Sequence, residues 1–305
     1  MKDHITVGTR GSRLALAQTE QLIEALRKFT AGPRYEIVTI RTRGDEMDDL
    51  GRSAGEGKRL FTREIEESLI RGEIDIAVHS MKDLTAELPR GLTIAAVPPR
   101  ADPRDVLISR SNATFQQLQK GARVGTSSPR RRAQLLAARR DLEILEMHGN
   151  VDTRLRKLAR GDYDAVVLAA AGLLRLSLEE HATQFLPTDV ILPAIGQGAL
   201  AIQSREDDDA VRDLVAHVDD KQTRRAIDAE RSFARRLGAS CRLPIAAYAK
   251  IESANLTIDG MVADPSGHTV IRDRMVSDYE DAERTGEQLA EALLSRGAAS
   301  LLEGT

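Results

Sequence analysis

The first two thirds of the chain alternate between two spacings of apolar residues. Residues 5–9 form a short apolar run typical of a buried strand, and residues 12–28 place leucine and isoleucine along one helix face. The alternation returns with strand-like runs at 35–42 and 74–79 and a helical pattern at about 60–71. Because strands alternate with helices, this part of the chain predicts an α/β domain with a largely parallel sheet.

A sequence echo indicates that the α/β pattern occurs twice. The Val-Gly-Thr motif at 7–9 recurs at 124–126, and each copy closes a strand before a helix. The strand motif Asp-Ile-Ala-Val at 75–78 is matched by Asp-Ala-Val-Val at 164–167. Two motifs repeated in the same order predict two similar lobes.

Proline-rich segments mark where the chain passes between the lobes. One lies at 98–103 and the return lies at 187–198, after which residues 200–203 indicate a strand of the first lobe. Beyond residue 221 a helix, three strands and a second helix predict a small α+β domain. We therefore predict an α/β fold of two similar doubly wound lobes joined by crossover strands, plus this C-terminal domain. The predicted boundaries are 1–99 with 199–217, 105–193, and 221–305.

Composition excludes several classes of function. The 305 residues include 44 basic and 47 acidic side chains, a net charge of -3, so no general attraction to nucleic acid or anionic membranes is expected. The chain lacks tryptophan and is 3% aromatic, which disfavours stacking on single-stranded nucleic acid. It has no apolar run of membrane-spanning length, no apolar signal core and no histidine pair at metal-ligand spacing. We expect a cytoplasmic monomer with no metal, nucleic-acid partner or membrane partner.

Cys241 is the only cysteine of the chain, between a charged helical run and an apolar strand. A single cysteine forms neither an intramolecular disulfide nor a cysteine metal cluster, so it is either a small core residue or a reactive thiol. Arg235, Arg236 and Arg242 are close in sequence, and positive charge favours the thiolate. The residue types alone leave both alternatives open.

One of the echoed turns suits anion binding. Ser128 can cap a helix with Pro129 in its first turn, and three arginines follow at 130–132. Helix N-termini attract carboxylate and phosphate groups. Successive arginines point in different directions, so at most two face one cleft. The alternative is a capped helix whose arginines are solvated.

Residues 80–83 (Ser-Met-Lys-Asp) end a strand apolar enough to be buried. In open parallel sheets, ligands occupy the crevice beyond the carboxyl ends of the strands, so Lys82 and Asp83 are expected near a cleft. Asp83 equally suits a cap for a helix that begins at Leu84. His79 suits a packed structural role better than a catalytic one.

Taken in order, these segments resemble the motifs of the porphobilinogen deaminase family, also called hydroxymethylbilane synthases. The resemblance implies a three-domain transferase that condenses four porphobilinogen molecules head to tail, releases ammonia and delivers linear hydroxymethylbilane. It also implies a dipyrromethane cofactor, made from two porphobilinogen units and held by a thioether to Cys241. The matching segments are 75–83, 124–131, 149–154, 171–175, 193–198 and 230–246.

The resemblance implies roles for individual residues. Asp83 and Lys82 match catalytic positions, and a carboxylate beside a pyrrole N–H can stabilise the cation left when ammonia departs. Each pyrrole bears acetate and propionate groups, which guanidinium groups bind well. Cofactor-binding positions, besides the covalent Cys241, are Ser80, Lys82, Asp83, Thr126, Ser128, Arg130 and Arg131. Substrate-binding positions are Arg10, Ser12, Lys58, Phe61, Ser127, His148, Arg154, Arg175 and Gln197, with Arg205 a further match.

Two departures from the family pattern are informative. His148 stands where the family usually has arginine, and a neutral imidazole does not replace a permanent bidentate cation. Ala239 and Ser240 replace the usual glycines before Cys241. A competing hypothesis is a two-lobed binding protein for small anions, which would need neither the cysteine motif nor a third domain.

Overall fold

The computed structural model describes residues 2–29, 32–45, 58–238 and 243–303, apart from the side chains of residues 58, 59 and 303. Cys241 and the side chain of Lys58 therefore lie outside the described residues. The chain forms two compact units, Met1–Ala101 with Ala199–Arg224 and Asp102–Gly198 with Arg225–Thr305.

Thirteen strands and nine α-helices are described here by their bounds. The strands are β1 His4–Thr9, β2 Arg34–Thr39, β3 Ile76–Ser80, β4 Leu92–Ala96, β5 Asp105–Ser109, β6 Arg123–Gly125, β7 Glu143–Leu145, β8 Ala165–Ala169, β9 Gln184–Leu186, β10 Leu200–Arg205, β11 Ile245–Glu252, β12 Asn255–Ala263 and β13 Val270–Asp278. The helices are α1 Arg13–Arg27, α2 Arg63–Ile70, α3 Pro129–Ala138, α4 Val151–Arg160, α5 Ala170–Arg175, α6 Asp209–Ala216, α7 Lys221–Arg236, α8 Ala282–Leu293 and α9 Ala299–Glu303.

The first unit folds around a five-stranded sheet of order β2-β1-β3-β10-β4. β1 is parallel to β2 and β3, whereas β10 runs antiparallel to β3 and β4, so the predicted return of the chain to the first lobe is confirmed. Four of the five residues of β3 are buried, which explains its unbroken apolar sequence. The sheet is less parallel than predicted because apolar spacing does not reveal strand direction.

The second unit contains a lobe with the same arrangement, a sheet of order β7-β6-β8-β5-β9. β6 is parallel to β7 and β8, and β5 runs antiparallel to β8 and β9. The echoed motifs occupy equivalent places: Val7 lies opposite Ile76 in the first lobe, and Val124 lies opposite Ala165 in the second. The predicted pair of similar lobes is confirmed.

The C-terminal part of the second unit is a three-stranded antiparallel sheet of order β11-β12-β13. One face packs on α7 and α8 around Phe233 and Leu289, and on the other Ala246 and Met261 pack against residues of the second lobe. The three predicted strands are confirmed, and the last of them, β13, runs for nine residues in which charged and apolar side chains are mixed. The α+β character is confirmed, while the three domain boundaries stay a prediction.

Candidate functional site

Asp83 lies in a single 3₁₀ turn, Met81–Asp83, that follows β3. The turn is fixed to the sheet because Met81 donates its N–H to the carbonyl oxygen of Ala199 at 3.0 Å. Residues 84–91 form no helix, so Asp83 has no helix to cap and that alternative is wrong. Asp83 is half-buried at the carboxyl end of β3, where a ligand can reach its carboxylate.

His79 is the buried neighbour of this turn. Its Nε2 lies 3.1 Å from Gln203 Oε1, and the Gln203 amide nitrogen faces Glu66 Oε1 at 3.4 Å, so the amide oxygen is assigned toward the imidazole and Nε2 carries the proton. Burial lowers the pKa of His79 from 6.5 to about 4. The predicted packed role is confirmed, and a neutral imidazole adds no positive charge beside Asp83.

Arg10, a predicted substrate-binding residue of the first lobe, contacts a carboxylate of its own unit. Its Nε and Nη2 donate to Asp45 Oδ1 at 3.0 and 2.5 Å, and its guanidinium lies 4.3 Å from the centre of the Phe61 ring. Thr42 holds the other carboxylate oxygen by its hydroxyl at 2.7 Å. Burial alone would raise the pKa of Asp45, but the Arg10 guanidinium outweighs it and the pKa is lowered. The structure thus brings Arg10 and Phe61 together, with Asp45 as an unpredicted third member.

Arg130 and Arg131 open helix α3 and converge on Asp105, which is fully buried at the start of β5. Arg131 donates from Nε and Nη2 to Asp105 Oδ1 at 3.1 and 2.7 Å, and Arg130 Nη1 lies 2.8 Å from Asp105 Oδ2. Burial alone would raise the pKa of Asp105, but the two guanidinium groups lower it well below its ordinary value. Both arginines are about 95% buried, so the alternative of a solvated helix is wrong.

The hydroxyl groups predicted to contact ligands also shape their own turns. Ser128 caps α3, as predicted, and Ser12 caps α1 in the same way. A hydroxyl has one proton and two lone pairs, so these contacts leave capacity for a ligand. The contacts are Ser12 Oγ with the Ala15 N–H (3.3 Å), Ser128 Oγ with the Arg131 N–H (3.4 Å), Thr126 Oγ1 with the Ser128 N–H (3.2 Å), Ser127 Oγ with the Met147 carbonyl (2.5 Å), and Ser80 Oγ with Gln18 Nε2 (3.0 Å).

His148, the departure from the family pattern, is held on both sides of its ring. Nδ1 lies 3.4 Å from Ser127 Oγ, and Nε2 lies 3.4 Å from Glu146 Oε2. Nearby, Arg154 Nε donates to the carbonyl oxygen of Gly149 at 2.7 Å. The structure therefore brings together three of the residues predicted to bind substrate: Ser127, His148 and Arg154.

Arg175 and Gln197 lie close in the same unit but differ in character. Arg175 Nη2 donates to the carbonyl oxygen of Gly198 at 2.8 Å, and burial lowers the pKa of Arg175 to about 10, still well above neutral pH. Gln197 is 1% exposed and donates from Nε2 to Pro103 O at 2.7 Å and to Asp105 Oδ1 at 2.9 Å. Gln197 therefore supports the arginine pair rather than presenting its amide at the surface.

Arg205 lies at the other end of the strands of the first sheet, away from the Asp83 turn. Leu200 pairs with Ser80 in antiparallel register, which puts Arg205, at the other end of β10, near the amino end of β3. Its guanidinium donates to the carbonyl oxygens of Leu69 and Ile74 and to Asp208. These contacts are structural and lie at the far edge from the Asp83 turn.

The segment that bears Cys241 is anchored at both ends, although the cysteine itself lies outside the described residues. Helix α7 precedes the segment and is held in place by Glu230. This residue is fully buried and accepts hydrogen bonds from the N–H groups of Gly196 (2.7 Å) and Ala249 (2.8 Å). After the segment, β11 begins at Ile245. Arg235 and Arg236, predicted to supply positive charge, pair with exposed glutamates at 3.4 and 3.1 Å.

Asp45 and Asp105 are the site residues that sequence reasoning missed. Asp105 had a usable signal, because it directly precedes the apolar run Val-Leu-Ile and a carboxylate beside a buried strand needs a counter-charge. Across the described ranges, no three His, Cys, Asp or Glu side chains are arranged to hold a metal ion. Within those same ranges no helix has both the length and the apolarity to cross a bilayer.

Family models and known proteins match almost the entire chain. The model "Porphobilinogen deaminase, dipyromethane cofactor binding domain" matches residues 5–213, and "Porphobilinogen deaminase, C-terminal domain" matches residues 225–295. The porphobilinogen deaminase of Syntrophus aciditrophicus is 50% identical over 97% of both chains, and that of Roseiflexus castenholzii is 47% identical over 100% of both. A periplasmic VFT2 domain of Bordetella pertussis BvgS is 13% identical, with a TM-score of 0.44, over 71% of this chain and 86% of that one.

Proposed function

This chain belongs to the porphobilinogen deaminase family, and we propose that Cys241 carries its dipyrromethane cofactor while Asp83 performs the acid-base and charge-stabilising work. The chain is a transferase that joins four porphobilinogen molecules head to tail into hydroxymethylbilane and releases ammonia. When bound, the cofactor supplies the pyrrole from which the product chain grows. The observation that carries the residue assignment is the accessible Asp83 turn at the carboxyl end of β3.

The donors of the second lobe fit a group that bears acetate and propionate. Arg130 and Arg131 lie side by side, and Arg130 Nε is buried with no hydrogen-bond partner among the described residues. A buried N–H donor without a partner is costly, and a ligand carboxylate is a suitable acceptor. We assign these two arginines to the cofactor, together with Ser128 and Thr126 of the same unit. In the first unit, taken by itself, we assign Ser80 and Lys82 to the cofactor.

Asp83 is suited to stabilise positive charge on the incoming porphobilinogen. Departure of ammonia breaks the bond between the aminomethyl carbon and nitrogen, and the pyrrole nitrogen shares the resulting positive charge. A carboxylate that accepts the pyrrole N–H stabilises this charge and can take up a proton later in the cycle. His79, neutral and turned toward Gln203, leaves the Asp83 charge unopposed from that side.

Each unit, taken by itself, has candidate partners for substrate carboxylates. We assign Arg10 and Phe61 in the first unit, and Arg154, Arg175, Ser127 and His148 in the second, with Ser12 and Lys58 as further contacts. Arg175 suits this role because its pKa of about 10 keeps it charged at neutral pH and it donates to a neutral carbonyl oxygen, that of Gly198. Arg10 is different, since Asp45 already contacts its Nε and Nη2 and competes with a substrate carboxylate there.

Intact-mass measurement of the purified active protein tests the attachment. We expect a mass increase equal to two linked pyrrole units, and because the chain has one cysteine a thiol reagent should leave the active protein unlabelled. Cys241→Ser should lack the added mass and the activity, whereas the matched neighbour Ser240→Ala should keep both. Full activity with an unmodified Cys241 would contradict the assignment.

We further propose that the protein is a cytoplasmic monomer that acts without a membrane or nucleic acid, and that its three domains follow the boundaries 1–99 with 199–217, 105–193 and 221–305. Light scattering should give the mass of one chain, and limited proteolysis should cut first near those boundaries. A stable dimer, or cleavage confined to the interior of a lobe, would contradict these two proposals.

A further inference from the structure

Asp105 is a fully buried carboxylate for which the proposed reaction has no direct use. It opens β5, and its two oxygens divide two buried guanidinium groups between them: Oδ1 takes Arg131 and Oδ2 faces Arg130. Arg131 makes a third contact, from Nη1 to the carbonyl oxygen of Val167 at 3.0 Å, and Arg130 Nη1 donates to Leu192 O at 2.6 Å. Both guanidinium groups are thereby held from more than one side.

The carboxylate is itself held in place. Gln197 Nε2 donates to Asp105 Oδ1 at 2.9 Å and to the carbonyl oxygen of Pro103 at 2.7 Å. The residue before it, Gly196, donates its N–H to buried Glu230 on α7 at 2.7 Å. Contacts thus run without a gap from the helix that leads to Cys241, through the loop at 193–198, to the arginine pair.

The charges explain why a carboxylate is needed at this point. Burial lowers the pKa of Arg130, and Asp105 opposes that fall. Without Asp105, two buried cations would face each other with no internal counter-charge. With it, the cluster keeps one net positive charge, and the arginines are fixed before a ligand arrives.

We propose that Asp105 is a positioning residue: it holds Arg130 and Arg131 in the orientation that receives the cofactor's carboxylates, and Gln197 holds Asp105. This rests on the proposed attachment of the cofactor at Cys241 and on the assignment of the arginine pair to its carboxylates. It changes the role of Gln197 from a substrate contact to a support.

Loading of the cofactor is the direct test. Full-length chain purified without the cofactor is incubated with porphobilinogen, and intact mass follows the gain of two pyrrole units on Cys241. Asp105→Asn keeps the shape but removes the charge, and we expect loading to slow by roughly tenfold or more, the usual effect of losing a charge-assisted contact. Asp141→Asn is the matched control, because Asp141 also binds an arginine, Arg139, but at the surface of the same unit. It should load at the wild-type rate.

Two further variants separate positioning from stability. If Asp105 acts through the arginines, the double variant Asp105→Asn with Arg131→Met should load the cofactor about as slowly as Arg131→Met alone. Both changes disrupt the same contact between Asp105 and Arg131, so their effects should not add. Gln197→Met leaves every charge in place and should slow loading by roughly threefold to tenfold. It keeps the test decisive if Asp105→Asn does not fold.

The outcomes are distinguishable. Loading at the wild-type rate in Asp105→Asn, or in Gln197→Met where the first does not fold, would overturn the proposal, even if thermal stability fell. Independent, additive effects of Asp105→Asn and Arg131→Met would overturn it as well. Wild-type chain that gains no pyrrole units at all would instead refute the attachment at Cys241.

Discussion

Replacing Asp45 by asparagine should strengthen substrate binding. In the structure the Asp45 carboxylate takes two donor atoms of Arg10, Nε and Nη2, so it competes with a substrate carboxylate for that guanidinium. Asparagine has the same shape and its oxygen can still accept from the Thr42 hydroxyl, but it carries no charge. The variant therefore weakens the internal competitor while leaving the local backbone contacts available.

The size of the effect follows from the exposure of the pair. The Arg10 and Asp45 side chains are 22% and 19% exposed, so the pair is neither fully exposed nor fully buried. An exposed ion pair contributes up to about 1 kcal/mol, and a shielded charge-assisted hydrogen bond contributes about 1.5 to 3 kcal/mol. About 1 kcal/mol is a reasonable middle value, and since 1.4 kcal/mol corresponds to tenfold, KM for porphobilinogen should fall about fivefold. Initial rates of hydroxymethylbilane formation over a range of porphobilinogen concentrations give KM and kcat separately.

Thr42→Val is the matched control, because it removes the Thr42 hydroxyl that donates to Asp45 but leaves the ion pair between Asp45 and Arg10. Its KM should stay within about twofold of wild type. An unchanged KM in Asp45→Asn would mean that Arg10 does not bind a substrate carboxylate. A raised KM would mean that Asp45 holds Arg10 in its binding orientation, and the competition argument would be wrong.

Four other changes have expected outcomes. Asp83→Asn should lower turnover by roughly two to four orders of magnitude with unchanged thermal unfolding. His148→Arg should lower KM for porphobilinogen, because arginine offers a substrate carboxylate a permanent bidentate cation. Glu230→Gln should lower the free energy of unfolding by about 2 to 4 kcal/mol in denaturant titration, since a buried amide cannot accept both N–H groups as a carboxylate does. The matched control is Glu291→Gln, at an exposed position, which should change the free energy of unfolding by about 0.5 kcal/mol or less. Folding lowers the pKa of His79 from 6.5 to about 4, so the neutral imidazole contributes its full stability above pH 6.5 and loses it as the pH falls toward 4. The loss amounts to about 3 kcal/mol of unfolding free energy. In His79→Gln the unfolding free energy should therefore depend less on pH over that window.

Each of these has a contrary result. Near-normal turnover in Asp83→Asn would remove its catalytic role, and an unchanged KM in His148→Arg would show that His148 does not contact the substrate. A Glu230→Gln variant as stable as Glu291→Gln would mean that the two N–H contacts are replaceable. Parallel pH curves for wild type and His79→Gln would show that another group governs stability in acid.

The sequence was most informative where local pattern and chain order are enough. The buried run of β3, the repeated Val-Gly-Thr motif and the Ser128 cap each depend on neighbouring residues, and each is found as predicted. The contacts of the arginines are different, because Asp105 is 26 positions before Arg131 and Asp45 is 35 positions after Arg10. Only the folded chain brings such pairs together, so apolar spacing does not reveal which arginine meets which carboxylate.

The direction of some strands and the extent of β13 were not predicted, for physical reasons. β10 and β5 run against their neighbours, but an apolar run looks the same in either direction. The whole of β13 is an edge strand of its sheet, and from Arg274 to Asp278 every second residue is exposed, so the apolar signal is weak there. These features are decided by neighbours distant in the chain.

The equal register of the two lobes allows their charged residues to be compared position by position. Ile76 and Ala165 hold the same place opposite their partner strands, so seven positions later Asp83 corresponds to Gly172 in helix α5, which follows β8. One copy of the scaffold thus bears a carboxylate where the other bears no side chain. The second copy has instead gathered buried guanidinium groups around Asp105. A repeated fold has in this way become asymmetric in charge, so that neither copy could stand in for the other.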